Sequence, residues 1–351
     1  QPVDPLARNH SCPEGNAPDS TRKRKQLNNA ASLAHTVVMR IGLDTFSFHI
    51  ALAAGRYDVF RALDWMAQQG FSGVQLNING PQGRFLGGDP DNAAHVHRVR
   101  EHLDALGFFA EIGGGHATDA ARVARQLELA ADVGADVLRT VIGFEDTIEQ
   151  TIAKARKAME QVLPLARKLG VRIAIENHED VTAAELRQLL DAINDPFIGA
   201  CLDTGNDLIV YGDPLEAARL LAPHTISTHI KDQKFVRVAG TVYSAGVPLG
   251  AGDIDLPAIM PVIINTAPVD RILIQNTTGY AAPLNVFKRA DLKPTDDYAN
   301  VPSFTTEHEL RESHIYLEIG TLSAGALQTL ADRQEQDICN DLRYMRTLLA
   351  Q

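Results

Sequence analysis

The stretch "VRIAIENHEDV", Val171 to Val181, decides the fold. An apolar, β-branched run collides there with Glu176, Asn177, His178, Glu179 and Asp180. Parallel strands covered on both faces read as continuous apolar runs. In α/β folds the polar groups that do chemistry gather at the C-terminal ends of such strands. The stretch therefore predicts a buried parallel strand that delivers side chains to a site, provided other strands end the same way.

They do. From Met39 the chain alternates short β-like runs with amphipathic segments, the pattern of a parallel sheet with crossover helices. Strands are expected at 40–46, 73–76, 108–113, 137–143, 171–177, 197–203, 225–231 and 271–276. Between them, "YDVFRALDWMAQQG" spaces Phe60, Leu63, Trp65 and Met66 helically and stops at Gly70. Two further helical segments close on Gly134 and Gly170, and Thr182 with Glu185 forms a capping box. Eight βα units of about 30 residues each specify an α/β protein, a (β/α)8 TIM barrel. A doubly wound sheet is the competing architecture. No GxGxxG follows the first strand, however, and "GGGH" (113–116) after the third lacks that spacing. The last unit is irregular, with an insertion between strand eight and the final helix (about 323–349). Residues 277–318 are expected to form a lid over the barrel mouth or a contact for another chain. "SHIYLEIG" (313–320) alternates like a strand that pairs at an edge.

Of 351 residues, 45% are hydrophobic and 22% charged, enough for one large core, so 39–351 reads as a single barrel domain. Residues 1–38 are polar, carry a basic cluster at Arg22 to Lys25 and lack the apolar core of a secretory signal. They read as a disordered tail or extension. A net charge of −11 argues against a nucleic-acid surface, which needs a basic footprint. No apolar run approaches the ~20 residues of a membrane span. Three cysteines, Cys12, Cys201 and Cys339, lie far apart, which fits a reducing, cytoplasmic setting; Cys201 reads as a buried small hydrophobe.

Strand five ends in Glu176, strand six in Asp203, strand seven in His229 and strand eight in Gln275. At the C-terminal rim of a barrel these four converge on one axis. Two carboxylates, an imidazole and an amide oxygen make a set suited to a divalent ion such as Mn2+, Mg2+, Co2+ or Zn2+. The local alternative is that each residue caps a neighbouring helix.

The segments "IAIENH", "CLDTGN", "THIKD", "PLGAGDID" and "ILIQN" resemble the sugar isomerase/epimerase-like barrels related to xylose isomerase. The resemblance covers nearly all of 39–351 apart from the insertion. It implies one divalent metal, manganese first among the candidates, held by Glu176, Asp203 and His229, with Gln275 where the family has a second glutamate. It also implies a keto-sugar or glycoside as substrate. Family epimerases move a proton with two metal-bound glutamates; an amide cannot accept a proton at neutral pH. A one-base reaction follows, in which the metal polarises a ketone, the α-proton leaves and the β-substituent departs. Such a lyase resembles the catalytic subunit of bacterial C-glycoside deglycosidases, which implies a small β subunit as partner, a homo-oligomer being the alternative. A keto-sugar isomerase/epimerase and a non-catalytic sugar-binding barrel are the competing functions. The superfamily's apurinic endonucleases, with a trinuclear zinc site and a DNA-binding face, do not fit an acidic chain with few rim histidines.

His178 follows Glu176 by two residues, so strand alternation puts both on one face, and histidine is suited to proton transfer near neutral pH. The expected catalytic set is His178, Glu176 and Lys231. Lys231 steadies an oxyanion or, alternatively, pairs with Asp232. His116, Asn206 and Arg237 are the expected substrate contacts, Arg237 reaching the rim from the loop after strand seven. "GAGDID" (250–255) reads as a turn and helix N-cap.

Overall fold

The computed structural model describes residues 39–79, 85–294, 298–313, 315–317, 319–320 and 322–350. The expected tail, 1–38, lies outside the described residues. The barrel strands are β1 (Arg40–Asp44), β2 (Gly73–Asn77), β3 (Phe109–His116), β4 (Val137–Val141), β5 (Arg172–Glu176), β6 (Ile198–Asp203) and β7 (Thr225–His229). After an antiparallel hairpin, β8 (Asp232–Val238) and β9 (Thr241–Val247), the eighth barrel strand follows as β10 (Arg271–Ile274). Every barrel pairing is parallel, in the order β10-β1-β2-β3-β4-β5-β6-β7. Closure comes from the bridge between Ile230 and Ile274. There Ile230 N–H donates to Leu273 O at 2.8 Å and Gln275 N–H to Ile230 O at 2.9 Å. The sequence thus specified a (β/α)8 barrel, and the structure has one.

The helices are α1 (His49–Ala53), α2 (Val59–Gln69), α3 (Ala93–Leu106), α4 (Ala120–Val133), α5 (Ile148–Leu169), α6 (Ala183–Ile193), α7 (Pro214–Leu221), α8 (Leu256–Thr266), α9 (Glu307–Glu312) and α10 (Ala324–Leu349). Gly70 ends α2 at φ +88°, a conformation that favours glycine because it has no Cβ. The capping box of Thr182 and Glu185 opens α6, and Asp255 caps α8 through Ala258 N–H. The apolar stripes of the helices pack on the outward face of the sheet in one continuous core.

Inside the barrel the filling is different. Phe109 plugs the lower end over two strands that have no side chain there. A Cβ on Gly42 would lie 2.5 Å from its ring, and one on Gly73 2.3 Å. The Arg271 guanidinium stacks over that ring at 4.7 Å and pairs with Glu111 at 2.9 Å. Above sit the small, buried Val137, Ala174 and Cys201. Alternation then lifts Arg139, Glu176 and Asp203, two residues further along β4, β5 and β6, to the upper layer.

Two expectations need correction. Strand three runs on to His116, pairing with β4 at Gly113 and Arg139 and, beyond a shift in register, at His116 and Val141. The segment 313–320 forms no strand among its described residues. Its alternation arises because Ile315 packs against Val236, Ala245 and Leu310, while Tyr316 and Ile319 face the main core. The unforeseen element is a second, four-stranded sheet in the order β11-β9-β8-β12. The β8–β9 hairpin turns at Ala239 and Gly240, φ +48° and +85°, the two positive values a two-residue hairpin loop requires. The insertion completes this sheet with β11 (Ala281–Pro283) and β12 (Ser303–Phe304).

Candidate metal centre and active site

The upper barrel layer brings Glu176, Asp203 and His229 together, all at most 2% exposed, with one donor atom from each within 4.8 Å of the others. His229 Nδ1 lies 3.1 Å from Glu176 Oε1 and 3.6 Å from Asp203 Oδ2. Ligand bonds of about 2.1 Å at angles of 90–109° place neighbouring donors about 3.0–3.4 Å apart, so the spacing suits a single small divalent ion.

The surroundings prepare each donor. Gln75 donates through Nε2 to Glu111 Oε2 at 3.1 Å, which turns its Oε1 towards Arg139 Nε at 3.2 Å and His229 Nε2 at 2.9 Å. An amide oxygen only accepts, so this network puts a proton on His229 Nε2 and makes Nδ1 the nitrogen that faces the two carboxylates, the one that would ligate an ion in exchange for its own proton. Asp203 Oδ1 accepts from the Gly205 and Asn206 N–H groups at 2.8 and 2.9 Å. Its Oδ2 accepts no hydrogen bond, although Lys231 Nζ stands 3.2 Å away outside hydrogen-bonding alignment. A buried carboxylate oxygen left without a hydrogen bond is costly in a closed protein interior and natural in a ligand. Burial alone would raise the Glu176 carboxyl, but His229 and Arg139 outweigh it and hold it well below the usual carboxylate range. The donor set fits a divalent metal.

Gln275 is placed differently. Its Nε2, not its oxygen, faces the cluster, donating to Asp44 Oδ2 at 2.7 Å and lying 3.4 Å from His229 Nδ1. In this orientation the amide offers no ligand atom.

Above the cluster opens a cavity of about 770 Å3 whose wall includes Glu176, His178, Lys231, Asn206, His116 and Gln275. His178 reaches it by another route than strand alternation. The strand stops at Glu176, and His178 N–H donates back to Glu176 O at 2.9 Å, a tight turn that presents the imidazole to the cavity. Asn177 points inward instead and ties Asp203 to the turn, through Nδ2 to Asp203 O and Oδ1 to Asp203 N–H. Asn206 bridges the site, donating to Glu176 Oε1 at 3.0 Å and accepting from Lys231 Nζ at 2.7 Å. Lys231 is therefore paired with Asp203 and Asn206, not with Asp232, whose carboxylate anchors the N–H groups of Gly250, Gly252 and Ile254. Arg237 is not brought to the cavity. It projects from β8, where its guanidinium donates to Tyr298 O at 2.7 Å and Gly240 O at 3.4 Å. The described part of the insertion lines the cavity through Thr277, Gly279, Tyr280, Ala281 and Leu317, and Ile319 just beyond it joins them.

The sequence reading missed Asp44, Gln75, Glu111 and Arg139, the polar residues of the first four strands. With Gln275 they give every barrel strand a polar member of one buried network. The available signal was a polar residue inside each apolar run.

Behind the site, burial pushes the Asp207 carboxyl up to about 7, and Asp341 on α10 likewise to about 7. Unfolded, both titrate near pH 4. Folded, they stay protonated up to about pH 7, so the stability they contribute is full below pH 4 and is lost as pH rises towards 7. A group displaced by about three units is worth up to about 4 kcal/mol. The urea midpoint of the metal-free protein is expected to fall between pH 5 and pH 8; a flat or rising midpoint contradicts these assignments.

Residues 63–280 match the family model described as xylose isomerase-like TIM barrel. The chain is 22% identical over 330 residues to the uncharacterized protein YihM of Escherichia coli, covering 93% of this chain and 96% of that one. It is 32% identical over 170 residues to the 3-oxo-isoapionate decarboxylase of Pectobacterium atrosepticum (47% of this chain, 60% of that one). To the C-glycoside deglycosidase alpha subunit of Arthrobacter globiformis it is 28% identical over 181 residues, 47% of each. The chain thus spans less than two thirds of the last two relatives. Its fold is shared with the IOLI protein, solved with a bound zinc atom, at 13% identity and a TM-score of 0.56 over 68% of this chain and 89% of that one. With more than half of its length matched by the family model and the barrel closed as that family requires, the chain belongs to the xylose isomerase-like TIM-barrel family.

Proposed function

We propose that this protein is a divalent-metal-dependent enzyme of sugar chemistry, a lyase that removes a proton α to a ketone and expels the β-substituent. The observation that carries the reading is the convergence of Glu176, Asp203 and His229 below a cavity that His178 also lines. A divalent ion there, manganese first among the candidates, would supply Lewis acidity that stabilises negative charge on the substrate's carbonyl oxygen. Glu176, Asp203 and His229 would hold it. Gln275 joins them only if its amide turns over, which sets its oxygen against Asp44 and requires that carboxyl to be protonated or to move.

His178 takes the α-proton. The C–H electron pair forms the new C=C bond, the β bond breaks, and the leaving group carries off the second pair and is protonated. Lys231, fixed by Asn206 and Asp203, presents a positive charge to the same space. The absence of a carboxylate at 275 favours the lyase over a two-base epimerase. Decarboxylation of a 3-oxo acid is the second reading, favoured by the 32% identity to a decarboxylase of that class. There the electron pair of the bond to the departing carbon dioxide, in place of the C–H pair, moves towards the ketone, so no base is needed.

Manganese-loaded protein is expected to release the aglycone from phenyl 3-oxo-β-glucoside and to wash solvent deuterium into the substrate's C2 position. Binding without exchange or release would mark a non-catalytic barrel. Gln275→Glu is expected not to slow the exchange, because the amide is not a base, and to open epimerisation by adding a second one. A Gln275→Glu protein that loses exchange while keeping its metal would place Gln275 in the proton transfer.

A further inference from the structure

The metal centre does not account for the glycine run Gly113 to Gly115. A Cβ on Gly113 would fall 3.0 Å from Arg139 Nη2, and one on Gly115 2.5 Å from Arg122 Cζ. The bare backbone at the end of β3 thus seats two guanidiniums. Arg139 is engaged by Glu176 and Gln75. Arg122 is half-buried and lines the cavity, and among the described residues its guanidinium has neither an ion pair nor a hydrogen bond. It stands in the first turn of α4, whose N-cap Asp119 accepts the Arg122 backbone N–H at 3.0 Å and makes no ion pair with the guanidinium among the described residues. The acids of the cavity wall are already taken, Glu176 by Arg139 and Glu179 by the Tyr280 hydroxyl at 2.6 Å. A cavity-lining guanidinium without an ion pair among the described residues, packed on a backbone that admits no side chain, is oriented for an oxyanion from outside.

We infer that Arg122 receives a carboxylate where the substrate carries one, so that among the keto-sugars this site takes the acids are preferred. The inference rests on the proposed reading of the cavity as a sugar site. Calorimetry on the manganese-loaded full chain tests it with three probes: 5-keto-D-gluconate, L-sorbose (which has CH2OH in place of that carboxylate) and inorganic phosphate. The keto acid is expected to bind about 10–100-fold more tightly than L-sorbose, the range of a charge-assisted hydrogen bond. Arg122→Gln removes that difference and leaves L-sorbose unchanged, and Arg122→Lys restores part of it. Equal affinity for the two sugars, equal loss of both in Arg122→Gln, or no keto-acid binding up to about 10 mM overturns the proposal. Phosphate that binds more tightly than the keto acid, and only with Arg122 present, also overturns it in favour of a phosphorylated ligand. A carboxylate preference retained while manganese changes the affinity of neither sugar supports Arg122 and counts against the metal-dependent reading, so the two fail separately.

Discussion

His178→Ala is expected to lower kcat about 10²–10⁴-fold, the usual share of a general base, while the protein keeps its metal. The imidazole lines the cavity and is half-buried, so its loss opens no large void in the core. It belongs to the turn after β5, and the turn's backbone hydrogen bond from His178 N–H to Glu176 O survives the substitution. Solvent deuterium incorporation into a 3-oxo-glucoside separates the possibilities. Loss of exchange with retained manganese supports His178 as the base. Full exchange removes it from the mechanism and leaves Glu176 as the base. A kcat that does not move, together with release of carbon dioxide from a 3-oxo acid, supports decarboxylation, which needs no proton acceptor.

His229→Ala is expected to abolish metal retention, and Gln75→Ala to weaken it about 10–100-fold, as loss of a partner behind a ligand does. The gradation follows from the network. His229 turns Nδ1 between Glu176 and Asp203 as the nitrogen that would ligate the ion, while Gln75 stands behind the ring and holds its Nε2 proton. Thermal unfolding gives an independent readout. An ion that binds only the folded state stabilises it by about 2.7 kcal/mol at a hundred times its Kd. Manganese should therefore raise Tm for the unmodified protein, less for Gln75→Ala and not at all for His229→Ala. An equal rise in all three would move the ion to another place.

The eight-fold alternation of strands and helices was legible in the chain because it rests on local rules. Apolar runs, helical spacing and caps such as Gly70, Thr182 and Asp255 act within a few residues. The convergence of Glu176, Asp203 and His229 was legible for the same reason: once the strands are placed, the barrel carries their ends to one rim. Tertiary structure decided what depends on partners distant in sequence. Gln275 reads as a ligand until Asp44, at the other end of the barrel chain, takes its amide nitrogen. For Lys231 the sequence leaves an oxyanion contact and a pairing with Asp232 both open, and only the fold, which sets it beside Asp203 and Asn206, removes the second. Arg237 reads as a rim residue until the hairpin carries it to Tyr298. A hydrogen-bonding group buried in a barrel must find its partner within about 3 Å, and closure of the sheet determines which groups lie that near. The sequence by itself thus determined the scaffold and the donors, and folding decided how each donor is oriented and neutralised.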